Sequence, residues 1–347
     1  MKKSEKLSAA IIGAGSIAGG FDRKRVKGEK GVYTHAGAFR AVGTIGLRTV
    51  LDTDRLKAAA FARFWGGNIS VAGGFQEVAK GYHDIISVCS PDKTHYRIVK
   101  SLILNRACKT IFVEKPAAQT YSRICELAEL AEKNKVNVVV NFQRRFDGEH
   151  VKLARMFRKA PGRILSVQGL YIKGLAHIGV TMLDTLRFLF GEPSAVLALG
   201  RVFNRQVGEY SYDFMLYYPD FSAVVKTADS GNWAYNYHVF EVDVLLNDRR
   251  IRIVNNSRSV LESGIRPYAY SGVKALNDLS PELRATGYGL SMVNTARYLY
   301  DITAGGRRPA ENTLKSSLRN MILTEAIERS YARGLKKIRL TEDIWKK

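Results

Sequence analysis

The glycine-rich turn at residues 13–18 places the strongest constraint on the fold of this 347-residue chain. An apolar run, residues 7–12, leads directly into the pattern Gly-x-Gly-x-x-Ala. This order predicts a buried strand that turns into a helix. Gly13 permits the tight turn, Gly15 lets a pyrophosphate approach the backbone, and Ala18 lets the helix pack on the strand. We expect a dinucleotide site here; the alternative is a glycine-rich turn in an ordinary α/β domain.

Apolar segments and helical segments alternate along the first 146 residues. Apolar strands are expected at residues 84–91, 110–113 and 136–140, and helices at 92–104 and 117–133. Alternation of this kind predicts a parallel, doubly wound sheet, and each strand is followed by polar residues. We therefore expect a Rossmann domain over residues 1–146, with its ligands at the edge formed by the strand ends.

The pattern changes after residue 146. Period-two alternation, clearest at residues 240–244, predicts a sheet with one buried face, interrupted by a helix at 179–190. The overall prediction is an α/β fold: the doubly wound N-terminal domain, then an α+β domain over residues 147–347 with an open, mostly antiparallel sheet. The last segment of this second domain could pack back on the first. Because an open sheet exposes a face, we expect a homodimer or homotetramer formed through it.

Composition and charge narrow the class of protein. The chain is 46% hydrophobic and has no apolar run approaching the roughly 20 residues that cross a bilayer, so we expect a cytoplasmic protein without membrane contact. The net charge is +22, which favours anionic partners, but the basic residues are dispersed. We rank nucleic-acid binding last, because no binding motif accompanies the charge. Cys89, Cys108 and Cys125 lack metal-ligand spacing, so no metal site is predicted.

Two features beside the glycine turn bear on the ligand. Residues 47–51 predict the second strand, and Asp52 follows it. A carboxylate at this position accepts hydrogen bonds from an adenosine ribose and repels a 2′-phosphate. We therefore expect NAD rather than NADP; the alternative is that Arg55, close by in the sequence, neutralises the 2′-phosphate of NADP. Asp54 suits the cap of the next helix. The basic stretch Arg23–Lys30 interrupts the first helix and predicts an inserted loop, either contacting a substrate phosphate or facing solvent.

Several motifs together resemble the glucose–fructose oxidoreductase/inositol dehydrogenase (Gfo/Idh/MocA) family. Besides the glycine turn and Asp52, they are Ser-Pro-Asp-Lys-Thr-His at 90–95, Glu-Lys-Pro at 114–116, Arg-Arg-Phe at 144–146, and Leu-Phe-Gly-Glu-Pro at 189–193. The resemblance covers nearly the whole chain. It implies NAD(P)-dependent hydride transfer to or from a sugar, polyol or sugar nucleotide, with a Rossmann domain and a C-terminal domain built on an open sheet.

The resemblance also implies roles for individual residues. Lys115 matches the family's catalytic lysine, which assists removal of the hydroxyl proton; without the resemblance it would read as a surface lysine before a turn proline. His95 matches a histidine near the nicotinamide, although it could simply cap a helix. The resulting cofactor-binding candidates are Gly13, Gly15, Ser16, Ile17, Asp52, Ser90, Pro91, His95, Glu114, Lys115 and Arg144.

One departure from the family pattern concerns the proton acceptor. Aligned on Leu-Phe-Gly at 189–191, the family's histidine position holds Thr181, and His177 stands one turn earlier. Either His177 relays the proton with Lys115, or the chain binds the cofactor without efficient turnover; a capping or packing role for His177 is the plain alternative. Tyr171, Lys173, Arg144 and Arg145 are further polar candidates on the substrate side.

We therefore predict an NAD-dependent dehydrogenase acting on a sugar-type CH–OH donor, with Lys115, His177 and Thr181 as its catalytic residues. The basic loop makes an anionic substrate the preferred kind. The alternative is a catalytically weak dinucleotide-binding sensor or regulator of the same fold.

Overall fold

The computed structural model of the protein describes residues 6–66, 68–205, 207–228 and 239–341. The helices are α1 (Phe21–Arg23), α2 (His35–Val42), α3 (Arg55–Trp65), α4 (Phe75–Lys80), α5 (Asp92–Leu104), α6 (Tyr121–Asn134), α7 (Gly148–Lys159), α8 (Val180–Phe190), α9 (Ser291–Ala304) and α10 (Leu314–Ala332). The strands are β1 (Leu7–Ile12), β2 (Ile45–Leu51), β3 (Ser70–Val71), β4 (His83–Val88), β5 (Cys108–Val113), β6 (Asn137–Val140), β7 (Ile164–Tyr171), β8 (Ala195–Asn204), β9 (Glu209–Tyr217), β10 (Ser222–Thr227), β11 (Phe240–Leu246), β12 (Arg249–Val254), β13 (Ser259–Pro267), β14 (Lys274–Leu276), β15 (Glu282–Ala285) and β16 (Ile338–Arg339).

The chain divides into two units, and each contains two separate segments. Unit 1 comprises Met1–Asp147 and Gly289–Leu318, and unit 2 comprises Gly148–Tyr288 and Arg319–Lys347. Among the described residues, no helix is long and apolar enough to cross a membrane.

Unit 1 is built on six parallel strands in the order β3-β2-β1-β4-β5-β6, which confirms the predicted doubly wound sheet. The register aligns the strand ends: Ile12 lies beside both Leu51 and Val88, and Val113 lies beside both Val88 and Val140. The residues that follow these strands therefore emerge together at the carboxyl edge of the sheet, where ligands of such sheets bind.

The core of unit 1 explains why it needs its second segment. Ile11, Ile85 and Phe112 are at most 1% exposed, as expected for strands covered on both faces. Helix α9 packs on α2 and adds to the same core four apolar side chains, namely Met292, Ala296, Leu299 and Ile302. Burying these side chains ties the second segment to the sheet through the hydrophobic effect.

Two helices of unit 1 differ from their predicted form. The turn after the glycines is π-helical over Ser16–Gly20 before the single turn α1, and regular helix resumes only at His35, where Thr34 is the N-cap. The helix expected at residues 117–133 begins at Tyr121, because residues 117–120 form a connection to the Lys115–Pro116 peptide.

Unit 2 is built on a ten-stranded sheet in the order β14-β13-β12-β11-β7-β10-β9-β8-β16, with β15 paired to β13. The strands pair antiparallel except β7 with β10, which confirms a mostly antiparallel sheet. Along β11 every second residue is buried, so one face of this strand belongs to the core. The opposite face carries ion pairs such as Arg250 with Asp243.

Candidate functional site

The two glycines of the turn are suited to their positions for different structural reasons. Gly13 has φ +94°, and a Cβ there would lie 2.7 Å from the backbone carbon of Cys89. Gly13 therefore lets β1 end against the loop after β4. Gly15 has φ −80°, and a Cβ there would meet no atom within 4 Å. The open space above Gly15 fits the close approach of a pyrophosphate. Ser16 and Ile17 follow it at the start of the π-helical turn.

The carboxylate of Asp52 lies beside this turn. Its Oδ2 accepts from the Ala14 N–H at 2.7 Å, its Oδ1 accepts from the Asp54 N–H at 3.0 Å, and Lys57 Nζ is 3.4 Å away. Burial raises the pKa of Asp52, but these hydrogen bonds and the Lys57 charge lower it more, to below its ordinary 3.8. Asp52 is thus an anion next to the glycine turn, where it suits ribose hydroxyls, while Asp54 caps α3 by accepting from Lys57 N.

The basic insertion is ordered by its own contacts. Arg25 donates to the carbonyl of Gly31 at 2.8 Å and to that of Asp22 at 3.2 Å. The guanidinium of Arg23 lies 5.4 Å from the centre of the Phe64 ring. Lys24 and Lys27 are exposed. The two arginines are therefore engaged within unit 1, and the exposed lysines are the charges of this loop that remain most accessible.

His95 lies inside unit 1, with 1% exposure. Its Nδ1 is 2.8 Å from the carbonyl oxygen of Pro116, and its Nε2 is 2.7 Å from that of Ser90. Carbonyl oxygens only accept hydrogen bonds, so the ring donates to one or both of them. His95 thereby ties the loop after β4 to the loop after β5, which positions Ser90 and the cis Lys115–Pro116 peptide. Pro91 beside it is exposed.

Glu114 is the first residue after β5, and its carboxylate is held by two donors. Its Oε1 accepts from His35 Nε2 at 2.9 Å and from Asn141 Nδ2 at 2.6 Å. Burial raises the pKa of Glu114, but these two hydrogen bonds and the neighbouring Lys115 charge lower it below its ordinary 4.5. Glu114 is therefore an anion at the strand end, one residue from Lys115.

The sequence pattern predicts no site role for His35 or Asn141. Asn141 follows β6 and could have been found by its place at a polar strand end. His35 lies 17 residues beyond the end of the glycine pattern, after the insertion, and no local sequence signal links it to Glu114. Lys115 is half-buried, and Arg144 is 7% exposed in a short 3₁₀ turn after β6. Arg145 pairs with Glu311 of the same unit at 3.4 Å.

His177 and Thr181 both belong to unit 2. His177 lies in a π-helical turn, Gly174–Gly179, and its backbone N–H donates to Glu209 Oε1 at 2.9 Å. Its side chain is exposed, while Thr181 is half-buried in the first turn of α8. Lys173 precedes the turn at φ +68°. His177 and Thr181 thus lie in two consecutive helical segments, and Glu209 of β9 supports the first of them.

The contacts of Tyr171 indicate a structural role. Its hydroxyl donates to the carbonyl of Tyr212 at 2.9 Å and accepts from the Tyr212 N–H at 2.8 Å, and it is fully buried. Burial raises the pKa of this hydroxyl. Tyr171 therefore fastens β7 to β9 within unit 2.

Residues 7–142 match the model of the oxidoreductase family with an NAD-binding Rossmann fold. Over these residues, the chain matches the Gfo/Idh/MocA family. The matched region contains the glycine turn, Asp52, Glu114 and Lys115. An uncharacterised oxidoreductase of Schizosaccharomyces pombe is 27% identical over 137 residues, a match that spans 33% of this chain and 36% of that protein.

Solved structures resemble the chain over nearly its whole length. Levoglucosan dehydrogenase, solved with NADH and levoglucosan, matches with a TM-score of 0.75 at 17% identity, covering 96% of this chain and 99% of that one. An oxidoreductase from Desulfitobacterium hafniense, provisionally assigned as NADPH-dependent, gives 0.76 at 17% identity, with 98% and 99% covered. An Agrobacterium radiobacter oxidoreductase solved with NAD⁺, L-tartaric acid and magnesium gives 0.71 at 15% identity, with 96% and 98% covered. At these identities the likeness is one of fold, and it extends over nearly all of the chain.

Proposed function

We propose that this Gfo/Idh/MocA chain is an NAD-dependent oxidoreductase that transfers a hydride between nicotinamide and a hydroxyl- or keto-bearing carbon of a sugar, polyol or sugar-nucleotide derivative. The observation that carries the proposal is the alignment of strand ends in unit 1. The open turn at Gly15, the anionic Asp52 and the Glu114–Lys115 pair emerge at one edge of one sheet. A dinucleotide site and a proton-handling cation at one edge are what alcohol oxidation needs.

The roles that we propose for individual residues follow from the chemistry of that reaction. Bound NAD supplies the hydride acceptor. The alcohol must also lose a proton from oxygen, and an ammonium group stabilises the negative charge that develops there. Lys115 is the group of unit 1 that suits this role, because it follows the strand end at Glu114. Asp52 would hold the adenosine ribose, and its negative charge disfavours a 2′-phosphate, so we propose NAD over NADP.

The roles of His177 and Thr181 are proposed from the sequence pattern. Thr181 orients a hydroxyl but is a poor general base, whereas a neutral imidazole accepts a proton. We therefore propose that His177 takes part in the proton relay. We further propose that the protein works in the cytoplasm as a homo-oligomer assembled through the sheet of unit 2, on a substrate that is preferentially anionic.

The test is an assay of purified protein with NAD and a panel of neutral, acidic and phosphorylated sugars and polyols, followed by the absorbance of reduced nicotinamide. Turnover should be found with one class, and Lys115→Ala should lower kcat about 10²-fold or more, the usual contribution of a proton-transferring group. The matched control is Lys109→Ala. Lys109 lies on the same strand β5 but pairs with Asp84 at 3.1 Å near the opposite end, so its loss should leave kcat unchanged.

A second candidate function is favoured by one observation, the threonine at the family's histidine position. In that case the chain binds NAD as a sensor or regulator without turning over. Tight NAD binding with no turnover on any member of the panel, or turnover that is indifferent to Lys115→Ala, would select this candidate and reject the dehydrogenase.

A further inference from the structure

On its buried side, Glu114 forms a hydrogen bond with His35 that the proposed reaction does not by itself require. His35 is 0% exposed, its ring centre is 4.4 Å from that of Phe112, and its Nε2 lies 2.9 Å from Glu114 Oε1. An ionised carboxylate only accepts, so Nε2 carries the proton of this hydrogen bond. Asn141 donates to the same oxygen. Two buried donors therefore converge on one oxygen of a carboxylate that adjoins Lys115.

The other nitrogen of His35 has a different environment. Nδ1 has no hydrogen-bond partner within the described part of the chain, so Nε2 is the ring nitrogen whose surroundings offer an acceptor. His35 and Asn141 thus stabilise the negative charge of Glu114 from its buried side, and Lys115 adds a positive charge at the next position of the chain.

The position of His35 is in turn determined by the insertion after the glycine turn. Buried Asp22 accepts from Thr34 N at 3.1 Å and from Thr34 Oγ1 at 2.5 Å. Thr34 Oγ1 accepts from Gly37 N at 3.1 Å, which caps α2. Gly37 leaves room for Asp22, because a Cβ there would lie 2.1 Å from Asp22 Oδ2. Asp22 thereby fixes the start of α2, whose first residue is His35.

We propose that His35 is a positioning residue of the active site: anchored through Asp22 and Thr34, it holds the Glu114 carboxylate as an anion in one orientation beside Lys115. The role assigned to Lys115 rests on the proposed function; the state of Glu114 does not. The ionisable groups that act on Glu114 are His35 and Lys115, while Cys89, whose thiol pKa is raised by burial and by the Glu114 charge, stays neutral.

The direct experiment is an NMR titration of the Glu114 carboxyl carbon in ¹³C-glutamate-labelled protein without substrate, with the resonance assigned by Glu114→Gln. In the wild type, Glu114 should titrate below 4.5. His35→Leu removes the donor while keeping an apolar side chain of similar bulk, so burial should then dominate. We expect the Glu114 pKa to rise by about one to two units, which is the strength of a hydrogen bond to a charged group.

Two further variants separate positioning from folding. His35→Gln keeps an N–H donor at the distance of Nε2 and should restore most of the wild-type titration. His83→Leu removes another buried histidine from the opposite end of the same sheet, at the start of β4, and should leave Glu114 unchanged. If His35→Leu does not fold, Asn141→Ala removes the other donor to the same oxygen and should raise the Glu114 pKa in the same direction.

A second measurement connects the network to turnover. Once a substrate is known, the acid limb of the kcat/KM profile should move to higher pH in His35→Leu and return in His35→Gln. The inference is overturned if Glu114 titrates alike in the wild type and His35→Leu, or if His35→Gln shifts it as much as leucine does. Absence of turnover throughout the panel would reject the proposed function while the carboxyl titration still decides the role of His35.

Discussion

Alanine at the two glycines of the turn should have opposite consequences. At Gly13, φ is +94° and the new Cβ would lie 2.7 Å from Cys89 C and from Ser90 N, both backbone atoms of the neighbouring strand end. Backbone strain of this kind costs about 1–3 kcal/mol and overpacking about 1–3 kcal/mol, so Gly13→Ala should lower the free energy of unfolding by about 2–6 kcal/mol.

At Gly15, alanine should affect NAD binding rather than the free energy of unfolding. The φ of −80° suits alanine and a Cβ meets no atom within 4 Å, so the free energy of unfolding should stay the same or rise by up to about 1 kcal/mol. The added methyl group occupies the space that a pyrophosphate needs. Losing one charge-assisted hydrogen bond there costs about 1.5–3 kcal/mol, which is roughly a tenfold or greater weakening of NAD binding.

The assays are urea unfolding followed by circular dichroism without cofactor, and a fluorescence titration with NADH. The two effects should separate: Gly13→Ala lowers the free energy of unfolding, whereas Gly15→Ala weakens NADH binding without lowering the free energy of unfolding. A Gly13→Ala protein as stable as the wild type would refute the close contact inferred at Gly13. A Gly15→Ala protein that binds NADH with unchanged affinity would refute the pyrophosphate position inferred at Gly15.

Two other predictions concern carboxylates with a lowered pKa. Asp52→Ser should weaken NADH binding about tenfold and strengthen NADPH binding, measured by calorimetry; a wild type that already prefers NADPH would contradict the role of Asp52. In unit 2, burial raises the pKa of Glu192, but Arg187 at 2.6 Å and Arg319 at 2.9 Å lower it below 4.5. Its contribution to stability is therefore present above pH 4.5 and is lost as the pH falls through the lower folded-state value, so Glu192→Gln should cost about 1–3 kcal/mol near pH 7 and progressively less as the pH falls below 4.5 in urea unfolding.

The sheet of unit 1 could be predicted because the sequence signals for each strand are contiguous along the chain. Each apolar strand and the polar residue after it are contiguous in sequence, and parallel pairing then places Asp52, Gly13 and Glu114 at one edge without knowledge of any contact. The prediction of a helix over residues 92–104 is confirmed by α5, which has the same limits.

The contacts that could not be predicted join residues that are far apart in the sequence. His35 meets Glu114 across 79 positions, and Asp22 captures Thr34 across a basic insertion whose composition suggests solvent exposure. Strand β13 could not be predicted because its burial pattern is irregular and its pairing with β12, β14 and β15 defines it. Hydrogen-bond partners of this kind depend on the completed fold rather than on periodicity or spacing.

The interleaving of the two units has a consequence for synthesis. A ribosome completes the sheet of unit 1 by residue 140, but the Met292 and Leu299 side chains that close its core emerge only after all of 148–288 has been made. Unit 2 in turn waits for β16 to pair with β8. Neither unit can therefore reach its final state while the chain is still growing through the other, and nascent chains must keep apolar surface available for late partners.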